Sequence, residues 1–125
     1  YFLLPILMKT ILVVDDEKHV RLLYEEELKD EGYNVLTASN GREALEIIET
    51  HEPDLVLLDL KMPEMDGSEF LRHVRQFHKE LPIIISTAYG DYAQQDFSVW
   101  LSDDYMVKSS DLSELKAKVK EVLGE

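Results

Sequence analysis

The sequence contains no cysteine, a single tryptophan, only 5 glycines and 4 prolines, and 13 basic side chains against 26 acidic ones. The absence of cysteine excludes disulfides and thiolate metal ligands, so an apolar core must hold the chain and any metal must take oxygen or nitrogen donors; it is compatible with a reducing, cytoplasmic setting. So little Gly and Pro leaves no stretch that reads as a linker or a low-complexity tract. The shortage of positive charge gives a formal net charge of -13. A surface that anionic repels nucleic acid phosphates and anionic lipids, so neither nucleic acid nor membrane is an expected direct partner. Long apolar runs are missing too: "YFLLPIL" at the start is broken by Pro5 and far shorter than the roughly 20 residues of a membrane span. It has no basic leader or small-residue cleavage site, and Met8-Lys9 looks like a natural start. Residues 1–7 are therefore expected to be a non-native or disordered N-terminal remnant, and 8–125 the functional domain.

What the chain does have is 45% hydrophobic residues over 125 positions, enough for one domain with a real core and too short for two. The runs "ILVV" (11–14), "LVLL" (55–58) and "IIIS" (83–86) do not alternate, as expected of central strands covered on both faces. "YNVLTA" (33–38) and "DYMVK" (104–108) are more mixed and suit edges. Between them lie helical spacings: Val20, Leu23, Tyr24 and Leu28; Ala44, Ile47 and Ile48; Phe70, Val74 and Phe77; Ala93, Phe97, Trp100 and Leu101; and Leu112, Leu115, Val119, Val122 and Leu123. Asn40 with Glu43, Asp66 with Glu69, Asp91 with Gln94 and Asp111 with Glu114 have the spacing of helix-opening capping pairs. Gly32 and "EPD" (52–54) supply stops. Strand and helix alternate five times with short connections, which implies right-handed crossovers and an α/β three-layer sandwich. For five parallel strands the order 2-1-3-4-5, with five flanking helices, is favoured, and ligands then bind at the carboxyl ends of strands 1 and 3.

Those ends carry polar groups: Asp15, Asp16 and Glu17 after strand 1, Asp59 after strand 3, Ser86 and Thr87 at strand 4, Lys108 at strand 5. Each alone has an ordinary reading as an acidic helix start, a turn residue, a strand-end hydroxyl or a solvated cation. Together on one rim they form a chemical set. Carboxylates so crowded oppose one another's ionisation unless a cation intervenes, and an oxygen-only donor set suits Mg²⁺, with Mn²⁺ as a substitute. Asp59 can then act as a nucleophile toward a phosphoryl group, with Thr87 and Lys108 stabilising the charge on its oxygens. None of His19, His51, His73 and His78 has a metal-ligand spacing.

The ordered set "ILVVDDE", "LVLLDLKMPEMDG", "IIISTA" and "DYMVK" resembles the receiver domain of bacterial two-component response regulators, of the single-domain chemotaxis or sporulation-relay kind, over nearly all of residues 9–124. The resemblance implies a phosphorylation-dependent signalling switch rather than an enzyme with an external substrate: one that catalyses only its own phosphotransfer and autodephosphorylation. Asp59 is implied as phosphoacceptor, Asp16, Asp59 and the Lys61 carbonyl as direct Mg²⁺ ligands, and Asp15 as a ligand through water. Thr87 and Lys108 are implied to hold the phosphoryl oxygens, and Thr87 and Tyr105 to form the switch. The implied donor is a sensor histidine kinase or histidine phosphotransferase, and the implied output is a protein target met by the face of the fourth helix, fifth strand and fifth helix.

Two departures from the family pattern stand out. Ser109 replaces the proline that usually follows the lysine, so a trans Lys108–Ser109 peptide is expected, since a cis bond there would cost about 2.5 to 4 kcal/mol. The segment 91–105 is compressed, so a short or shifted fourth helix is expected. Bulky Lys61 and Tyr89 at the rim suggest a slowly decaying phosphoform. Two other readings are a flavodoxin-type electron carrier, which would need a Ser/Thr/Gly phosphate loop where "DDEKHV" stands, and a receiver excised from a longer transcription regulator. A phosphohydrolase would need a second acid and a cap, and neither is evident.

Overall fold

A computed structural model describes residues 8–59, 67–87, 103–107 and 112–125. Five parallel strands, β1 (Thr10–Val14), β2 (Asn34–Ala38), β3 (Leu55–Leu58), β4 (Ile83–Thr87) and β5 (Asp104–Val107), form one sheet in the order β2-β1-β3-β4-β5. Four helices are described: α1 (Lys18–Asp30), α2 (Gly41–His51), α3 (Gly67–Phe77) and α4 (Ser113–Leu123). The helix expected from Ala93, Phe97, Trp100 and Leu101 falls outside the described residues, as do the Asp66, Asp91 and Asp111 members of the capping pairs and residues 1–7.

The non-alternating runs are buried on both faces, as their composition dictates. Leu12, Val14, Val56, Leu58, Ile83 and Ile85 pack with Ala44 and Ile48 of α2 and with Phe70, Leu71 and Val74 of α3. The intervening Ile11, Val13, Leu55, Leu57, Ile84 and Met106 pack on the other face with Tyr24 and Leu28 of α1 and Leu115 and Val119 of α4. Successive strand residues point to opposite faces, so one sheet serves two cores.

Two of the expected stripe residues lie elsewhere. Phe77 is 67% exposed, with Leu71 filling the core beside Phe70 and Val74; the Phe77 ring instead sits 5.8 Å from that of His73. Leu23 is 43% exposed, because the buried line of α1 runs through Tyr24 and Leu28.

The helix ends follow local chemistry. α1 stops at a Schellman motif: the Gly32 N–H donates to the Lys29 carbonyl, the Tyr33 N–H to Leu28, and Gly32 takes φ 96°. Tyr33 and Leu28 then share a core cluster, completing the apolar contact of that motif. α2 opens on Asn40, whose side chain accepts the Glu43 N–H at 2.8 Å; the Glu43 carboxylate accepts from Ser39 Oγ at 3.2 Å. α2 closes on Glu52 in the left-handed region at φ 45°. α4 opens on Leu112 with no side-chain cap, one position beyond the expected Asp111, since the Leu112 carbonyl is what accepts the Lys116 N–H.

Ionic contacts tie the layers together. Lys116 meets Glu27 at 2.9 Å and Lys120 meets Glu31 at 3.5 Å, joining α4 to α1, while Lys118 meets Asp104 at 2.9 Å, joining α4 to β5. The hydrogen bonds to Glu27 and Asp104 hold the Lys116 and Lys118 ammonium groups above the ordinary lysine range. Arg75 of α3 donates to the carbonyls of His78 and Leu81 and to Asp103, whose carboxylate also accepts the Ile83 N–H. One guanidinium thus fixes the approach to both β4 and β5.

Candidate functional site

Strands β1, β3 and β4 lie side by side, and their register brings their carboxyl ends to one rim. Val14 pairs with Leu58 and Leu58 with Ile85, so Asp15 and Asp59 leave adjacent strands at the same level. Backbone bonds hold both in place: the Asp59 N–H donates to the Val14 carbonyl at 3.0 Å, and the Asp15 N–H to Ala38 at 3.1 Å. Asp15 is 2% exposed and Asp59 7%, whereas Asp16 and Glu17 face solvent. Two buried carboxylates on neighbouring strand ends are a costly arrangement that packing alone does not require.

The loop from β1 to α1 is shaped by its own side chains. Asp15 Oδ1 accepts the Glu17 N–H at 3.0 Å, and Arg21 Nη1 donates to the Asp15 carbonyl at 2.7 Å. The first bond is an Asx-type turn, so Asp15 also shapes the loop that leads into α1. Glu17 stands at the α1 N-cap but its side chain makes no capping bond, and it meets His19 at 3.1 Å. Carboxylate oxygens of Asp15, Asp16 and Glu17 all lie within 4.8 Å of one another. An all-oxygen set, buried on one side and open on the other, fits a hard divalent cation that keeps several waters.

At β4, Ser86 is 3% exposed and its Oγ lies 3.3 Å from the Tyr24 hydroxyl. Thr87 is the last residue of β4 and pairs with Val107, the last of β5, while Lys108 itself lies outside the described residues. The Thr87 and Tyr105 side chains, Lys61, Tyr89 and the Lys108–Ser109 peptide lie outside the described residues. Of the expected site, Asp15, Asp16 and Asp59 are thus brought to one rim, and Thr87 and Tyr105 are placed through their strands.

The model of the response regulator receiver domain matches residues 11–120. The chain belongs to that family. It is a receiver domain of the two-component kind, a phosphorylation-dependent signalling switch. Among its relatives, the alkaline phosphatase synthesis transcriptional regulatory protein PhoP of Bacillus subtilis is 41% identical over 116 residues, 92% of this chain but 48% of that protein. The chain therefore spans about half the length of such regulators. The sporulation initiation phosphotransferase F of the same organism is 40% identical over 114 residues, 90% of this chain and 92% of that one. The response regulator TrrA of Thermotoga maritima, solved in complex with Mg²⁺–BeF, superposes with a TM-score of 0.88 at 48% identity, covering 92% of this chain and 99% of that one. TrrA in complex with the histidine kinase ThkA superposes at 0.86 with the same identity, over 93% and 99% of the two chains.

Two features of this receiver's rim are not evident in the sequence. Arg21 carries no motif, and only its place one turn into α1 after an acidic loop hints that it turns back to Asp15. The Tyr24–Ser86 contact joins residues 62 positions apart; Ser86 is a polar strand-end group in the sequence and Tyr24 a member of the α1 stripe, and nothing in the sequence pairs them.

Proposed function

We propose that this receiver takes a phosphoryl group from a phosphohistidine of a sensor kinase or histidine phosphotransferase onto Asp59 and passes the resulting change to a downstream protein in the cytoplasm. The observation that carries the reading is the buried Asp59 carboxylate, its backbone bonded to Val14, beside an acidic group that would otherwise repel an anion. Asp15, Asp16 and Glu17 offer hard oxygens that fit Mg²⁺, or Mn²⁺ in its place; the direct protein ligands proposed are Asp16, Asp59 and the Lys61 carbonyl, with Asp15 acting through water. Such an ion supplies charge neutralisation for the phosphoryl oxygens.

The chain's own residues then do the rest. An Asp59 carboxylate oxygen attacks phosphorus, the donor's P–N bond breaks, and the donor imidazole leaves with the bonding pair. Thr87 and Lys108 bind phosphoryl oxygens and stabilise the charge that spreads over them. Thr87 and Tyr105 convert the new bond into a shift of the surface around β5, α4 and the segment before β5. The domain's only chemistry is this transfer and the later loss of its own phosphoryl group, which bulky Lys61 and Tyr89 slow by limiting water.

The test is incubation with Mg²⁺ and acetyl phosphate followed by intact mass. Wild type gains one phosphoryl group and Asp59→Asn gains none. An equal gain in both would end the reading.

A further inference from the structure

α1 is bonded to both of the strand ends that flank Asp59. In the order β1-β3-β4 the acceptor strand lies in the middle. Arg21 holds the Asp15 carbonyl at the end of β1, and about one turn further along the same helix the Tyr24 hydroxyl meets Ser86 Oγ at the end of β4. Tyr24 and Ser86 are 4% and 3% exposed, and the cluster around Tyr24 is apolar, with Ile84, Leu57 and Met106 among its members. Packing gives no reason for two hydroxyls there, because a pair of apolar side chains would fill the same space without polar atoms to satisfy. A buried polar contact instead favours one arrangement of the groups that make it. At 3.3 Å the contact is longer than the ~2.8 Å typical of hydroxyl pairs, so it has room to tighten. Ser86 is also the residue before Thr87.

We propose that Tyr24 is a positioning residue for phosphoryl acceptance. Through Ser86 it sets where the end of β4, and hence Thr87, stands relative to Asp59, while Arg21 fixes the β1 side. α1 is then a brace across the acceptor strand, and a partner that bears on α1 alters the site through this tie. The inference rests on the reading of Asp59 as phosphoacceptor and Thr87 as a phosphoryl-oxygen ligand.

The test compares the full chain with Tyr24→Phe, Ser86→Ala and the double variant. It measures the rate constant of phosphorylation by acetyl phosphate at saturating Mg²⁺, together with the melting temperature. Each single variant leaves one hydroxyl buried alone and melts lower. Each also phosphorylates about tenfold more slowly, the effect of losing one hydrogen bond's worth of positioning. In the double variant the melting temperature recovers, since neither hydroxyl remains. The rate stays low, since the tie is still missing. Single variants that react at the wild-type rate or faster, or a double variant that recovers rate along with stability, overturn the proposal and reduce the pair to packing. A wild type that gains no phosphoryl mass, or an Asp59→Asn that does, overturns the underlying reading instead.

Discussion

Tyr33 shows how one side chain on the far side of the sheet from the rim ties the fold together. Its hydroxyl donates to Glu125 Oε1 at 2.7 Å, and the neighbouring Lys9 Nζ donates to the Leu123 carbonyl at 3.3 Å, so the end of α4 is fastened to the start of the sheet. Burial first, then the hydrogen bond to Glu125 and the charges of Glu125 and Glu31, push the hydroxyl well above the ordinary tyrosine value. A folded-state pKa above the unfolded ~10 means that the folded chain retains a proton the unfolded chain has released. The Tyr33 contribution is therefore fully present below pH ~10 and is lost as pH rises above it. Urea melts across the alkaline range should show wild-type stability falling above pH ~10 more steeply than that of Tyr33→Phe. At neutral pH the variant should be about 1 kcal/mol less stable. Parallel alkaline profiles would remove Tyr33 as the source.

Among the elements, α2 carries a conformational cost at its end. Glu52 takes φ 45°, where a side chain other than glycine's is strained, and it does so because its N–H closes the helix on the Ile48 carbonyl at 3.2 Å. Glu52→Gly relieves that strain and gives back part of the gain as unfolded-chain freedom, so denaturant melts should show a net rise of about 0.5 to 1 kcal/mol. Unchanged stability would mean that Glu52 is not strained. The sequence foretold this element and its stop, as it did every described strand, because period and punctuation are local signals; the strand order followed instead from the arrangement that five parallel strands favour. It misplaced Phe77 and Leu23, which have helical spacing but sit at the margin of a stripe narrow enough that Leu71 and Tyr24 take the core positions. The shared rim of Asp15 and Asp59 was legible because both carboxylates directly follow apolar runs that read as neighbouring central strands, although each alone has an ordinary reading. Arg21 and the Tyr24–Ser86 contact were not, because pairing between particular polar groups, local for Arg21 and long-range for Tyr24, leaves no periodic trace.

For the molecule as a whole, the distribution of charge decides the response to cations. The net charge is -13, and the carboxylate oxygens of Asp15, Asp16 and Glu17 lie within 4.8 Å of one another at one rim, so a divalent ion that binds the folded arrangement better than the unfolded chain adds stability. Mg²⁺ at about ten times its dissociation constant should add about 1.4 kcal/mol, a rise of several degrees in melting temperature that EDTA reverses. Asp16→Ala should melt no lower than wild type without Mg²⁺ and show no rise with it. A rise of equal size in that variant would assign the effect to general screening. Among the described residues, no helix is long and apolar enough to cross a membrane. The sheet itself has a mechanical consequence. Side chains of the α1–α4 core and of the α2–α3 core alternate along the same strands, and the strands are what the two have in common. A strand residue exchanged for one of different volume therefore disturbs the layer it faces directly, and any shift of the strand backbone that follows is shared by the opposite layer.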